Sequence, residues 1–155
     1  MPFLEWKPEM ETGFTVIDDQ HRVLVDMLND FHETYVIGDT ESMKKLVGKM
    51  FDYTNLHFDT EEAYFQEFAY LDMYGHTFAH NAFRKHVQAL QTKLDNGTMV
   101  FSSELVQYLK MWLSKHILIA DKQYIACFRE NGVPWHEPGS EPVSDNTADD
   151  TEESE

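Results

Sequence analysis

Within the stretch Tyr53-Thr54-Asn55-Leu56-His57-Phe58-Asp59-Thr60-Glu61-Glu62-Ala63-Tyr64, a histidine and a carboxylate stand four residues apart among apolar neighbours. On an α-helix that separation is one turn, so His57 and Glu61 share a face and can aim their polar ends at one point. The face continues in both directions with steps of three and four through Met43, Leu46, Met50, Tyr53, Tyr64 and Phe68. That spacing predicts a helix over roughly Glu41 to Phe68 with one inward stripe. Polar side chains on an inward stripe are costly unless something satisfies them, by about 1 to 3 kcal/mol for a neutral group and more for a charge.

Working outward, the same combination recurs. Asp18 to Ile37 places His21, Leu24, Leu28, Phe31 and Tyr35 on one face. Met73 to Asp95 places Met73, His76, His80, Phe83, Val87, Leu90 and Leu94 on another. Ser103 to Asn131 begins with Leu105, Leu109, Trp112 and His116. Gly38, Asn96-Gly97 and Asn131-Gly132 before Pro134 punctuate these segments, with a less obvious break at Leu71-Asp72. Thr40, Asp72 and Ser102 or Ser103 are the expected N-caps. Four amphipathic helices with short connections predict an all-α, up-down-up-down four-helix bundle. Residues 1–17, with Phe3, Trp6 and Phe14, are expected to form an arm packed on a bundle spanning 18–132. Residues 133–155 are expected to be an acidic, disordered tail.

Every helix thus contributes a polar residue to the interior. His21, His57, Glu61, His76, His80 and His116 lie on inward faces, and Asp121 follows His116 by five residues. Five imidazoles and two carboxylates form a nitrogen and oxygen donor set that suits Fe, Mn or Zn better than Cu(I) or Ca. Seven donors exceed a closed tetrahedral Zn site and fit two metals sharing carboxylates. At about 100° per residue, five residues would turn Asp121 roughly 140° away from His116. A π-type bulge or a break near Leu118 to Asp121 is therefore expected. His32, His86 and His136 fall outside the cluster.

The composition narrows the partners. Twelve Lys and Arg against 28 Asp and Glu give a net charge of −16, and residues 137–155 carry eight acids and no base, leaving −8 for the rest. Such a chain should be repelled by nucleic acid backbones and anionic membranes. The lone Cys127 forms no internal disulfide, and no secretory signal or membrane-spanning run is read, so a cytoplasmic location is expected.

His21 on the first helix, His57-Phe-Asp-Thr-Glu61 on the second, His76-x-x-x-His80 on the third and Trp112-Leu-x-x-His116-Ile117-x-x-x-Asp121 on the fourth together resemble hemerythrin in its bacterial single-domain form. The resemblance covers about residues 1 to 132. It implies reversible O2 binding at a non-haem di-iron centre, by a carrier rather than an enzyme. His76, His80 and His116 would hold one iron and His21 and His57 the other. Glu61, Asp121 and an oxo or hydroxo group would bridge them. Leu24, Phe58, Trp112, Leu113 and Ile117 match the apolar residues around the O2 position. The usual Tyr-Pro before the third helix is Tyr70-Leu71 here. Glu-x-x-His motifs, typical of ferritin-like di-iron oxidases, are absent from the sequence. A di-iron oxidase, peroxidase or nitric-oxide-handling enzyme and an O2 or redox sensor stand as alternatives. The acidic tail reads as a solubilising end or as a docking segment for an O2-consuming enzyme.

Overall fold

The computed structural model describes residues 1–98 and 101–140. Helix α1 spans Thr15–Ile37, α2 Thr40–Glu67, α3 Met73–Asp95, α4 Ser103–Leu118 and α5 Ile125–Glu130, with 3-10 turns at Pro8–Met10 and Ala120–Lys122. No strand occurs among the described residues. The first four helices form the expected up-down-up-down bundle. None of these helices is long and apolar enough to cross a membrane.

Local chemistry explains the helix ends. Gly38 closes α1 at φ 84°, a left-handed conformation that disfavours residues with a Cβ, and its N–H donates to the carbonyls of Thr34 and Tyr35. Asp39, not Thr40, caps α2 by accepting a hydrogen bond from the Ser42 amide at 3.1 Å. Two adjacent cap-forming residues compete there, and the carboxylate one position earlier wins. Ser102 caps α4 through the Leu105 amide at 3.2 Å, whereas Asp72 precedes α3 without a side-chain cap.

Two apolar clusters lie on either side of the polar layer. The larger joins Leu24, Leu28, Phe31, Val47, Phe83, Val87, Leu90 and Leu109, with Phe3 and Trp6 of the arm packed against it. The smaller joins Phe14, Ile17, Phe65, Tyr70, Tyr124 and Phe128. The stripe of α2 differs from the expected one: Val47, Thr54, Phe58 and Phe65 are buried, while Leu46, Met50, Tyr53, Tyr64 and Phe68 are only partly so. Helix α2 packs on both α1 and α3, so its buried face is wider than a single stripe and is centred one position further along.

Three boundaries also shift. Helix α1 begins at Thr15, three residues before the expected start, and Asp18 turns back to hold the arm. Its carboxylate accepts from the Thr12 amide at 2.7 Å, the Thr12 hydroxyl at 2.8 Å and the Gly13 amide at 3.0 Å. The fourth expected segment is interrupted between Leu118 and Ile125. Residues 133–140, placed with the tail on sequence, run back along the arm: Trp135 Nε1 donates to the Thr12 carbonyl at 2.8 Å, and the His136 amide to Gly13 at 2.9 Å. The remaining tail, 141–155, lies outside the described residues.

Asp18 is fully buried, so Asp18→Ala strands the donors it accepts from. Unfolding free energy in urea should fall by about 2 to 4 kcal/mol. A fall below about 0.5 kcal/mol, the level of an ordinary surface change, would show that the arm is held by other means.

Candidate metal centre

All seven residues expected to bind metal come together. His21 projects from α1, His57 and Glu61 from α2, His76 and His80 from α3 and His116 from α4. Asp121 belongs to the 3-10 turn that follows. Helix α4 stops at Leu118, Ile119 takes φ −117° and ψ −63°, and the chain re-enters as the turn Ala120–Lys122. The irregularity is a break rather than a π bulge, and it swings Asp121 inward to full burial. Each of the seven is at most 7% exposed.

Donor atoms of Glu61, His76, His80, His116 and Asp121 lie within 4.8 Å of one another, and so do those of His21, His57, Glu61 and Asp121. The carboxylates belong to both groups, and each divides its oxygens between them. Glu61 Oε1 faces His57 Nε2 at 3.3 Å, while its Oε2 faces His80 at 3.1 Å and His76 at 3.7 Å. Asp121 Oδ2 faces His21 at 2.8 Å, while its Oδ1 faces His76 at 3.0 Å and His116 at 3.1 Å.

These residues fit a cation better than they satisfy one another. His76 and His80 both crowd their Nε2 atoms onto that of His116, at 3.3 and 3.1 Å, and His21 meets His57 at 3.0 Å. A neutral imidazole has one donor and one acceptor nitrogen, so three Nε2 atoms meeting together cannot all be paired. Glu61 Oε2 and both Asp121 oxygens are buried without a hydrogen-bond donor of proper alignment, despite the short distances to imidazole nitrogens. Burial lowers the proton affinity of His57, but the charges of Glu61 and Asp121 outweigh it and lift the pKa to about 10. His76 is likewise pulled down by burial and lifted by Asp121 and Glu61 to about 9. Burial alone would raise Glu61 and Asp121, yet the surrounding histidines hold both well below the ordinary carboxylate range. His80 moves the other way, its pKa lowered chiefly by burial.

Of the five expected pocket residues, Leu24, Trp112 and Leu113 line one cavity, whereas Phe58 and Ile117 are not part of its wall. Leu24, Phe58, Leu113 and Ile117 are buried and Trp112 is partly so. Phe58 stacks on His80 at 3.8 Å and Trp112 on His116 at 4.6 Å, each within 10° of parallel. The cavity lined by Leu24, Trp112 and Leu113, with Phe83 and others, is about 20 Å³, and Thr54 carries its one hydroxyl.

Sequence reasoning missed three neighbours. The Tyr124 hydroxyl donates to Glu61 Oε1 at 2.7 Å. Gln20 Oε1 meets His57 Nδ1 at 2.8 Å and Glu62 Oε1 meets His80 Nδ1 at 3.1 Å. Tyr124 sits three residues after Asp121, while Gln20 and Glu62 adjoin His21 and Glu61; sequence proximity to a donor was the available signal.

Residues 12–128 match the family model described as Hemerythrin HHE cation binding domain. The chain is 30% identical over 128 residues to a bacteriohemerythrin of Methylococcus capsulatus, covering 82% of this chain and 98% of that protein. It is 32% identical over 124 residues to a bacteriohemerythrin of Stenotrophomonas maltophilia, covering 80% of each. A crystal structure of wild-type hemerythrin superposes with a TM-score of 0.78 at 29% identity, covering 81% of this chain and 97% of that one.

A metal ligated by these imidazoles must displace their protons. With His57 lifted to about 10 and His76 to about 9, both are protonated at pH 7. Adding a divalent cation to the metal-free chain in weak buffer should therefore acidify it, and affinity should fall as pH drops. An indicator dye reads the release; binding with no proton released would contradict the assignment.

Proposed function

Since the chain belongs to the hemerythrin family, we propose that it binds O2 reversibly at a non-haem di-iron centre, to store, carry or deliver O2 in the cytoplasm. The observation that most supports this reading is the division of Glu61 and Asp121 between two histidine groups, each offering one oxygen to each side. In this reading His76, His80 and His116 would hold one iron, His21 and His57 would hold the other, and Glu61 and Asp121 would be shared between them. The iron pair, when bound, supplies the electrons that O2 takes up and returns.

The chain's own residues decide whether that exchange stays reversible. Three imidazoles on one side and two on the other leave the two-histidine side with fewer protein donors, and therefore with room for O2. Leu24, Trp112 and Leu113 line an apolar cavity, Phe58 and Trp112 stack on His80 and His116, and Ile117 is fully buried. These apolar surroundings limit the entry of water and protons. The cavity has no Asp, Glu, His or Lys in its wall, and its one hydroxyl, that of Thr54, already donates its proton to the Met50 carbonyl at 2.6 Å. A wall without a free acid suits retention of O2, whereas reduction of O2 needs protons delivered to it. A carrier fits this lining better than an oxidase or peroxidase.

Reduced, iron-loaded protein exposed to air should develop a visible absorption spectrum that disappears when O2 is removed, over repeated cycles. A spectrum that forms once and persists would contradict reversible binding. Leu113→Ala should open the wall and speed autoxidation of the O2-bound form, while lowering stability by roughly 2 to 5 kcal/mol. An unchanged autoxidation rate would show that Leu113 does not guard the site.

A further inference from the structure

Five imidazoles converge on the centre, but their outer nitrogens meet different surroundings. His57 Nδ1 meets the neutral amide oxygen of Gln20 at 2.8 Å, and His21 Nδ1 is buried with no partner. Among the described residues only His80 meets a carboxylate there, Glu62 Oε1 at 3.1 Å. Glu62 is itself gripped by Arg84, whose two terminal nitrogens reach Oε1 at 2.8 Å and Oε2 at 3.2 Å. The guanidinium is fixed by Asn55 and Asn81 at 2.9 Å each and by Asp59 at 3.1 Å. It also lies 5.0 Å from the Phe58 ring, which stacks on His80. His80, Glu62, Arg84 and Phe58 thus close a loop of contacts around one imidazole.

We propose that Glu62 and Arg84 act as an opposed pair of positioning residues that set how strongly His80 donates to the metal. The proposal rests on the di-iron reading above and adds to it a control over the three-histidine side. A carboxylate that accepts the Nδ1 proton fixes the ring in the tautomer whose Nε2 lone pair is free, and makes that nitrogen a stronger donor. Stronger donation favours the more positive metal state and lowers its reduction potential. Arg84 draws the same carboxylate the other way, through a two-pronged ion pair, and so moderates the effect. His57, facing only an amide, lacks this push. The three-histidine iron is thereby made the easier one to oxidise, while the two-histidine side keeps the room for O2.

Opposite charges predict opposite shifts, which a merely structural role would not produce. In the full chain, Glu62→Gln should raise the reduction potential of the iron-loaded protein and Arg84→Gln should lower it. Cobalt(II) titrated into the metal-free chain reads the same contact without iron or O2 chemistry, and Glu62→Gln should weaken its binding by about tenfold or more. Potentials that move in the same direction, or unchanged cobalt affinity in Glu62→Gln, overturn the proposal. Should Arg84→Gln lose its helical circular dichroism, Arg84→Lys takes its place. It keeps the charge and should leave the potential near that of the parent, and a rise matching that of Glu62→Gln overturns the proposal. If the parent chain takes up no cobalt, the metal-site reading fails together with this one. If O2 cycling persists but cobalt affinity is unchanged in Glu62→Gln, only the role of Glu62 fails.

Discussion

Glu61 and Asp121 have no exposed surface, and a carboxylate cut off from water is tolerable only where positive charge or donor hydrogens face it. Much else in the molecule answers that demand. Each of the first four helices brings at least one imidazole to the layer. Tyr124 adds a hydroxyl donor to Glu61, and the chain breaks after Leu118 so that Asp121 can reach the layer at all. The apolar clusters above and below seal the layer from water, which strengthens every interaction within it. Cations held by the two histidine groups would satisfy the carboxylates more fully than imidazolium protons do, because each carboxylate turns one oxygen toward each group.

The outer contacts of the imidazoles carry a second asymmetry. One side of the centre meets an amide and an unpartnered nitrogen, and the other meets an anchored carboxylate. The stacked rings of Phe58 and Trp112 hold His80 and His116 against rotation, so apolar residues beside the centre also orient donors.

Much of this was legible in the sequence, because inward histidines obey the same spacing as the apolar residues beside them. His57 with Glu61 and His76 with His80 disclose both the helix and its direction of view. The misplaced angle of Asp121 relative to His116 disclosed the break, since a straight helix could not bring both to one point. Other features left no periodic trace. Asp18 holds the arm through the backbone amides of Thr12 and Gly13, and backbone donors are invisible to side-chain patterning. Glu62 and Arg84 look like ordinary charges of a solvated helix face, each being about one-fifth exposed. Val47 and Phe65 were passed over on α2 because a helix flanked by two neighbours buries more than one stripe. Trp135 and His136 read as the start of a tail because their partners lie more than a hundred residues away.

Two donor groups sharing two carboxylates are the structural claim on which the O2 chemistry depends. Anaerobic titration of the metal-free chain with ferrous iron, followed by Mössbauer spectroscopy after oxidation, tests it most directly. A shared dinuclear centre predicts uptake that saturates at two irons per chain and ferric ions coupled into a state without net spin. Saturation at one iron, or two irons that remain magnetically independent, would contradict it.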